Sequence, residues 1–140
     1  MDIQGNIGDN AIVTDNARVS DIARASGRAR VSDEARVYGK AVVTDNARVS
    51  GMARVSGMAR VTDNARVSGA AIVSVMARVS GEAHVTDEAV VTDNAVVTGT
   101  ARVSGDAVIM GGWWDGSEGE ITTGQWLAPG VPAFDVPGER

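Results

Sequence analysis

At 140 residues the chain is of single-domain length, and without cysteine it can form neither disulfides nor thiolate metal sites. Hydrophobic residues make up 44% of it, yet they include one Phe and one Tyr, which excludes a wide core of large side chains and implies a narrow one filled by small residues. The formal charge is −5, and no apolar run approaches the roughly 20 residues of a membrane-spanning helix.

In chain order, residues 1–6 (MDIQGN) have neither the basic start nor the apolar stretch of a secretory signal. The expected location is therefore the cytoplasm, or outside it by a route that needs no signal peptide. These residues are expected to cap the segment that follows. From Ile7 to Val108 the chain divides into seventeen uninterrupted groups of six, among them VTDNAR, VSGMAR and VSGEAH. Position one is Val in fifteen of the seventeen, with Ile7 and Ala25 as the exceptions, and position five is always Ala. Position two is Ser or Thr in fifteen, and position three is Asp or Gly everywhere except Val75.

Side chains alternate between the two faces of a strand. In Ala-Arg-Val-Ser, Ala and Val thus point inward while Arg and Ser point outward. Positions three and four then form a corner, for which Gly is suited by its missing Cβ and Asp by local hydrogen bonds. Each six residues make one short strand and one bend. A helix is excluded, because a strict period of six matches neither 3.6 nor 3.5 residues per turn.

This unit, as in Ile7-Gly8-Asp9-Asn10-Ala11-Ile12, resembles that of the hexapeptide-repeat (bacterial transferase hexapeptide-type) proteins. The resemblance implies an all-β, three-sided, left-handed parallel β-helix with three repeats to a coil, hence about six coils of 18 residues. A single coil cannot repay the entropy of ordering its backbone, so the coils must hold one another as a stacked solenoid.

The repeat ends at Ile109-Met110-Gly111-Gly112-Trp113-Trp114, where a Trp cannot occupy the Ala position. The expected organisation is a β-helix over 1–112, with Trp113 or Trp114 plugging its open end, and a cap and largely irregular tail over 113–140. The tail holds all three prolines, which argue for an extended segment, and Trp126, Leu127 and Phe134, which argue that it docks on the rod or on a neighbour.

Stacking position six at intervals of 18 gives three outward columns. In one of them Arg18, Arg36 and Arg54 give way to Ile72, Val90 and Val108, an apolar stripe expected to be an interface. Met58, Met76 and Val75 form a smaller second ridge at a corner. Val75 is strained if its position needs a positive φ, and the turn there is expected to differ or the residue to serve a contact. From Ile7 to Arg78 eleven basic and seven acidic residues give +4, whereas from Val79 to Val108 one basic and five acidic give −4. That axial polarity favours self-association, as a dimer, a trimer or end to end. The arginines are spread over all three sides, so a nucleic-acid interface is not expected, nor is a membrane partner.

Among hexapeptide-repeat enzymes the resemblance would carry over an acyltransferase base, a His beside a cleft between subunits. The one His here, His84, lies outward in VSGEAH, with no extruded loop to shape a cleft around it and little concavity expected on a regular rod. Three His ligands for zinc are lacking, and no cofactor or metal site is expected. The sequence thus favours a non-enzymatic structural or self-assembly module, with an acyltransferase-like enzyme acting through His84 as the alternative.

Overall fold

A computed structural model describes residues 2–3, 6–8, 10–20, 22–117, 119–128 and 131–132. It is an all-β parallel solenoid of about six turns, with three sheets and no helix among the described residues. The first sheet stacks Arg18–Val19, Arg36–Val37, Arg54–Val55, Ile72–Val73, Val90–Val91 and Val108–Ile109. The second runs through Arg24–Ala25, Val42–Val43, Arg60–Val61, Arg78–Val79 and Val96–Val97, and the third through Ile12–Val13, Arg30–Val31, Arg48–Val49, Arg66–Val67, His84–Val85 and Arg102–Val103. Partners in each sheet are 18 residues apart, as the three-repeat coil requires.

Every strand from Arg18–Val19 to Val96–Val97 is two residues long, one outward and one inward. The inward residue, Val in all but Ala25, and the Ala at position five are fully buried. Val and Ala alternate around the coil, and the same inward column accepts the larger Ile109 in register with Val91 at its C-terminal end. The backbone is satisfied between coils: the amide of Arg48 donates to Ala65 O at 3.0 Å, Ser50 to Val67 O at 2.9 Å and Met52 to Gly69 O at 2.7 Å. Within each bend the position-five amide donates back to the position-two carbonyl, as from Ala53 to Ser50 O at 3.3 Å.

Position three has positive φ at every described corner of the repeat, whether Gly, Asp or Val75 (φ 61°). The turn at Val75 does not differ from its neighbours, contrary to expectation. The ladder of corner amides above and below it fixes the backbone, and the side chain must accept the strain. The Asp residues do not bond locally as expected either. Their carboxylates reach along the rod to the corner amide of the next coil, from Gly51 N to Asp33 Oδ2 at 3.0 Å, Gly81 to Asp63 at 3.1 Å and Gly105 to Asp87 at 3.1 Å. Where Asp stacks on Asp the bond lengthens, to 3.4 Å for Asp33 on Asp15 and 3.5 Å for Asp63 on Asp45.

The coil does not stop at Gly112. Trp113–Trp114 adds to the second sheet, Glu120–Ile121 to the third and Gln125–Ala128 to the first, where Val131–Pro132 turns back antiparallel and ends the stack. Trp113 sits in the outward column opposite Val96, and Trp114 lies inward above Val97, so of the two expected candidates it is Trp114 that enters the core. The spacing there is 17 rather than 18, because the bend is one residue shorter: Gly112 takes the place of the position-five Ala, its carbonyl accepting from the Val96 amide at 2.9 Å as Ala95 O does from Arg78. The conflict between Trp and the Ala slot is resolved by moving the two Trp residues to positions six and one. The same device recurs twelve residues later, as Ile109-Met110-Gly111-Gly112-Trp113-Trp114 is echoed by Ile121-Thr122-Thr123-Gly124-Gln125-Trp126. Gly112 (φ 84°) and Gly124 (φ 87°) tighten both bends, and each Trp Nε1 donates to the carbonyl three residues back, Gly111 O at 2.8 Å and Thr123 O at 2.9 Å. The two rings meet edge to face, centroids 6.3 Å apart at 71°, and close the core. Residues 113–117 and 119–128 continue the coil in altered form.

Candidate functional site

The third face carries a hollow. Its strand column presents Arg30, Arg48 and Arg66 in register, followed by His84 and Arg102. The corner leading into that face presents its own column at position four, Arg28, Asn46, Asn64 and Glu82. The two columns run parallel along the rod and enclose a groove of about 570 Å³, open to solvent. Its lining is four arginines, two asparagines, one glutamate and His84, with no Phe, Tyr, Trp or aliphatic residue. The expectation that a regular rod offers little concavity is thereby corrected: long side chains stacked coil upon coil build walls that the backbone lacks. The position-four column was legible in the sequence, but only when read beside position six.

His84 is half-buried at the end of this groove, next to Glu82. Burial, and then the positive charges of Arg66 and Arg102, hold its imidazole below the 6.5 of a free side chain, while Glu82 pulls the other way. It is therefore neutral near pH 7 and faces a positively charged column.

The other residues singled out in the sequence lie elsewhere. Ile72, Val90 and Val108 stack in register on the first face, half-buried, and Gln125 follows them. Val75, Met76 and Met58 are exposed on the corner that bounds the same face, so the two ridges read separately in sequence border one surface. Trp113 is exposed on the second face, beside a smaller hollow of about 280 Å³ lined by Arg60, Arg78 and Val96 among others. Trp126 packs against the core, Leu127 is exposed, and Phe134 lies outside the described residues. No described segment of the C-terminal chain lies over the apolar stripe; its strands continue the stack. Among the described residues no cluster of His, Cys, Asp or Glu could hold a metal ion.

Residues 29–45 and 59–74 match the family model of the YdcK beta solenoid repeat. The matched stretches include three of the groove residues, Arg30, Asn64 and Arg66. The chain is a β-solenoid repeat protein. No curated protein and no solved structure matches it.

Proposed function

We propose that the chain is a non-enzymatic interaction module, a rigid rod that presents ordered columns of side chains to a partner or to a second copy of itself. The observation that carries this reading is the uniformity of its bends. From Arg24–Ala25 to Val108–Ile109 each strand follows the one before it across a four-residue corner of the same kind, so among these described residues no loop leaves the rod to form a closed site. Binding by a preformed, repetitive surface needs no such loop, and stacked β-coils provide one at little entropic cost. Self-association is assigned to the first face, where Ile72, Val90 and Val108 adjoin Val75 and Met76. Light scattering on the full chain and on Ile72→Lys tests this, with a shift toward monomer expected in the variant. An unchanged mass would remove the first face as the interface. Ending the chain at Gly112 is a poor test, because it also removes Trp114 and Trp126 and opens the core.

A second reading is favoured by one observation, the neutral His84 at the end of a groove, since a general base must be unprotonated to act. It is the acyltransferase-like activity suggested by the resemblance to hexapeptide-repeat enzymes. Titration with acetyl-CoA discriminates: the interaction module gives no saturable binding, and tight binding lost in His84→Ala would sink the non-enzymatic reading.

A further inference from the structure

We infer that the groove on the third face is a docking site for a short, extended acidic peptide segment, an inference that rests on reading the rod as a binding module. Arg30, Arg48 and Arg66 stand directly above one another, and like charges on adjacent strands oppose the pairing that holds them there. Among the described residues none of the three is joined by an ion pair. The lowered basicity of His84, due in part to Arg66 and Arg102, is a second sign of an uncompensated positive field along this column. An anionic ligand relieves that repulsion.

Arginine columns also stand on the first face, at Arg18, Arg36 and Arg54, but there the neighbouring corner carries Asn16, Glu34 and Met52. Only on the third face does the corner column set Asn46 and Asn64 beside the arginines with a groove between them. An Asn side chain offers both a carbonyl and an NH2 group, the complement of a peptide unit, whereas a phosphodiester presents acceptors alone. The groove has no Phe, Tyr or Trp on which a base could stack. Its length selects too. The three basic coils, from Arg30 through Arg48 to Arg66, span about 10 Å, or roughly three residues of extended chain. Beyond that the rod turns acidic, from Glu82 through Asp87, Glu88 and Asp93. A long polyanion such as a nucleic acid overruns the basic part and is repelled, while a short acidic segment does not reach Glu82.

The test uses the full chain and a fluorescently labelled tripeptide of Asp and Glu, read by anisotropy at low salt. Saturable binding is expected, weakened about ten-fold or more by R48E/R66E. R36E/R54E, the same charge change on the first face, is expected to leave it within about two-fold. Matched circular dichroism verifies folding. Should R48E/R66E fail to fold, R48Q/R66Q removes the charges alone and is expected to weaken binding in the same direction. Absence of saturation, equal loss in both double variants, or equally strong competition by an oligothymidylate of the same charge would overturn the inference. The outcomes separate from those of the preceding section: tight acetyl-CoA binding lost in His84→Ala defeats the non-enzymatic reading whatever the peptide does, and a silent peptide without such binding defeats the groove alone.

Discussion

At the scale of single residues, the corner is where sequence and backbone bargain. Position three is held at positive φ by amides bonded to the coils on either side, and Gly or Asp meets that demand at low cost. Val75 does not, being β-branched at φ 61° with its side chain largely in solvent. Val75→Asn is expected to raise stability by about 1 kcal/mol, since Asn tolerates this conformation better. Urea unfolding measures it, and a lower midpoint would show that Val75 has a compensating contact. The Asp corners do more than tolerate the turn. Asp87 accepts from the Gly105 amide at 3.1 Å, so Asp87→Ala loses that bond and keeps the unfavourable φ. A loss of about 1–2 kcal/mol is expected, and a smaller one for Asp87→Gly, which sheds the strain along with the bond. Equal losses in the two variants would assign the whole effect to the bond. Asp-to-next-coil bonding was not legible in the repeat, because its partner is 18 residues away and the sequence argument looked for a local one.

Among the elements, the two-residue strands are interchangeable except at the C-terminal end. There the pattern Ile-x-x-Gly-x-Trp occurs twice, and each copy sets Gly in the Ala slot and an indole inward. Trp114 is the largest fully buried side chain in the described core, whereas Trp126 is only partly buried against it. Trp114→Ala is expected to cost about 3–5 kcal/mol and Trp126→Ala less. Hydrogen exchange should localise the damage to the last coil, with amides such as Thr98, which donates to Trp114 O at 2.7 Å, losing protection first. Uniform loss along the rod would instead show that the cap nucleates the whole stack. The twice-written motif was present in the sequence. Reading in strict sixes hid it, because each copy drops one residue from the count.

For the whole molecule, the stack behaves as a one-dimensional array in which each coil contacts its neighbours. Deleting residues 55–72, one full coil, is expected to preserve a cooperative transition and all three outward columns, and to shorten the rod by about 4.8 Å in small-angle scattering. Deleting residues 55–60 instead joins the first face to the second beyond the cut, which misaligns the arginine column of the groove while leaving the Val and Ala core intact. Peptide binding should survive the full-coil deletion better than the six-residue one. Similar binding by both would mean that the columns act by net charge and not by register.

The period, the inward residues and the corners were legible in the sequence alone, because each follows from local alternation repeated seventeen times. Three repeats to a coil, and so three parallel sheets, were implied by the resemblance to hexapeptide-repeat proteins and not by the period. The sequence then determined the contents of every column, since 18-residue stacking is arithmetic once the coil is known. Three features were decided only in three dimensions: the groove, the shared surface of the stripe and the Val75 corner, and the choice of Trp114 over Trp113 for the core. The first two depend on how far side chains from neighbouring columns lean toward one another. The third depends on a one-residue change of register, which exchanges the inward and outward faces of a strand and so cannot be read from a fixed period.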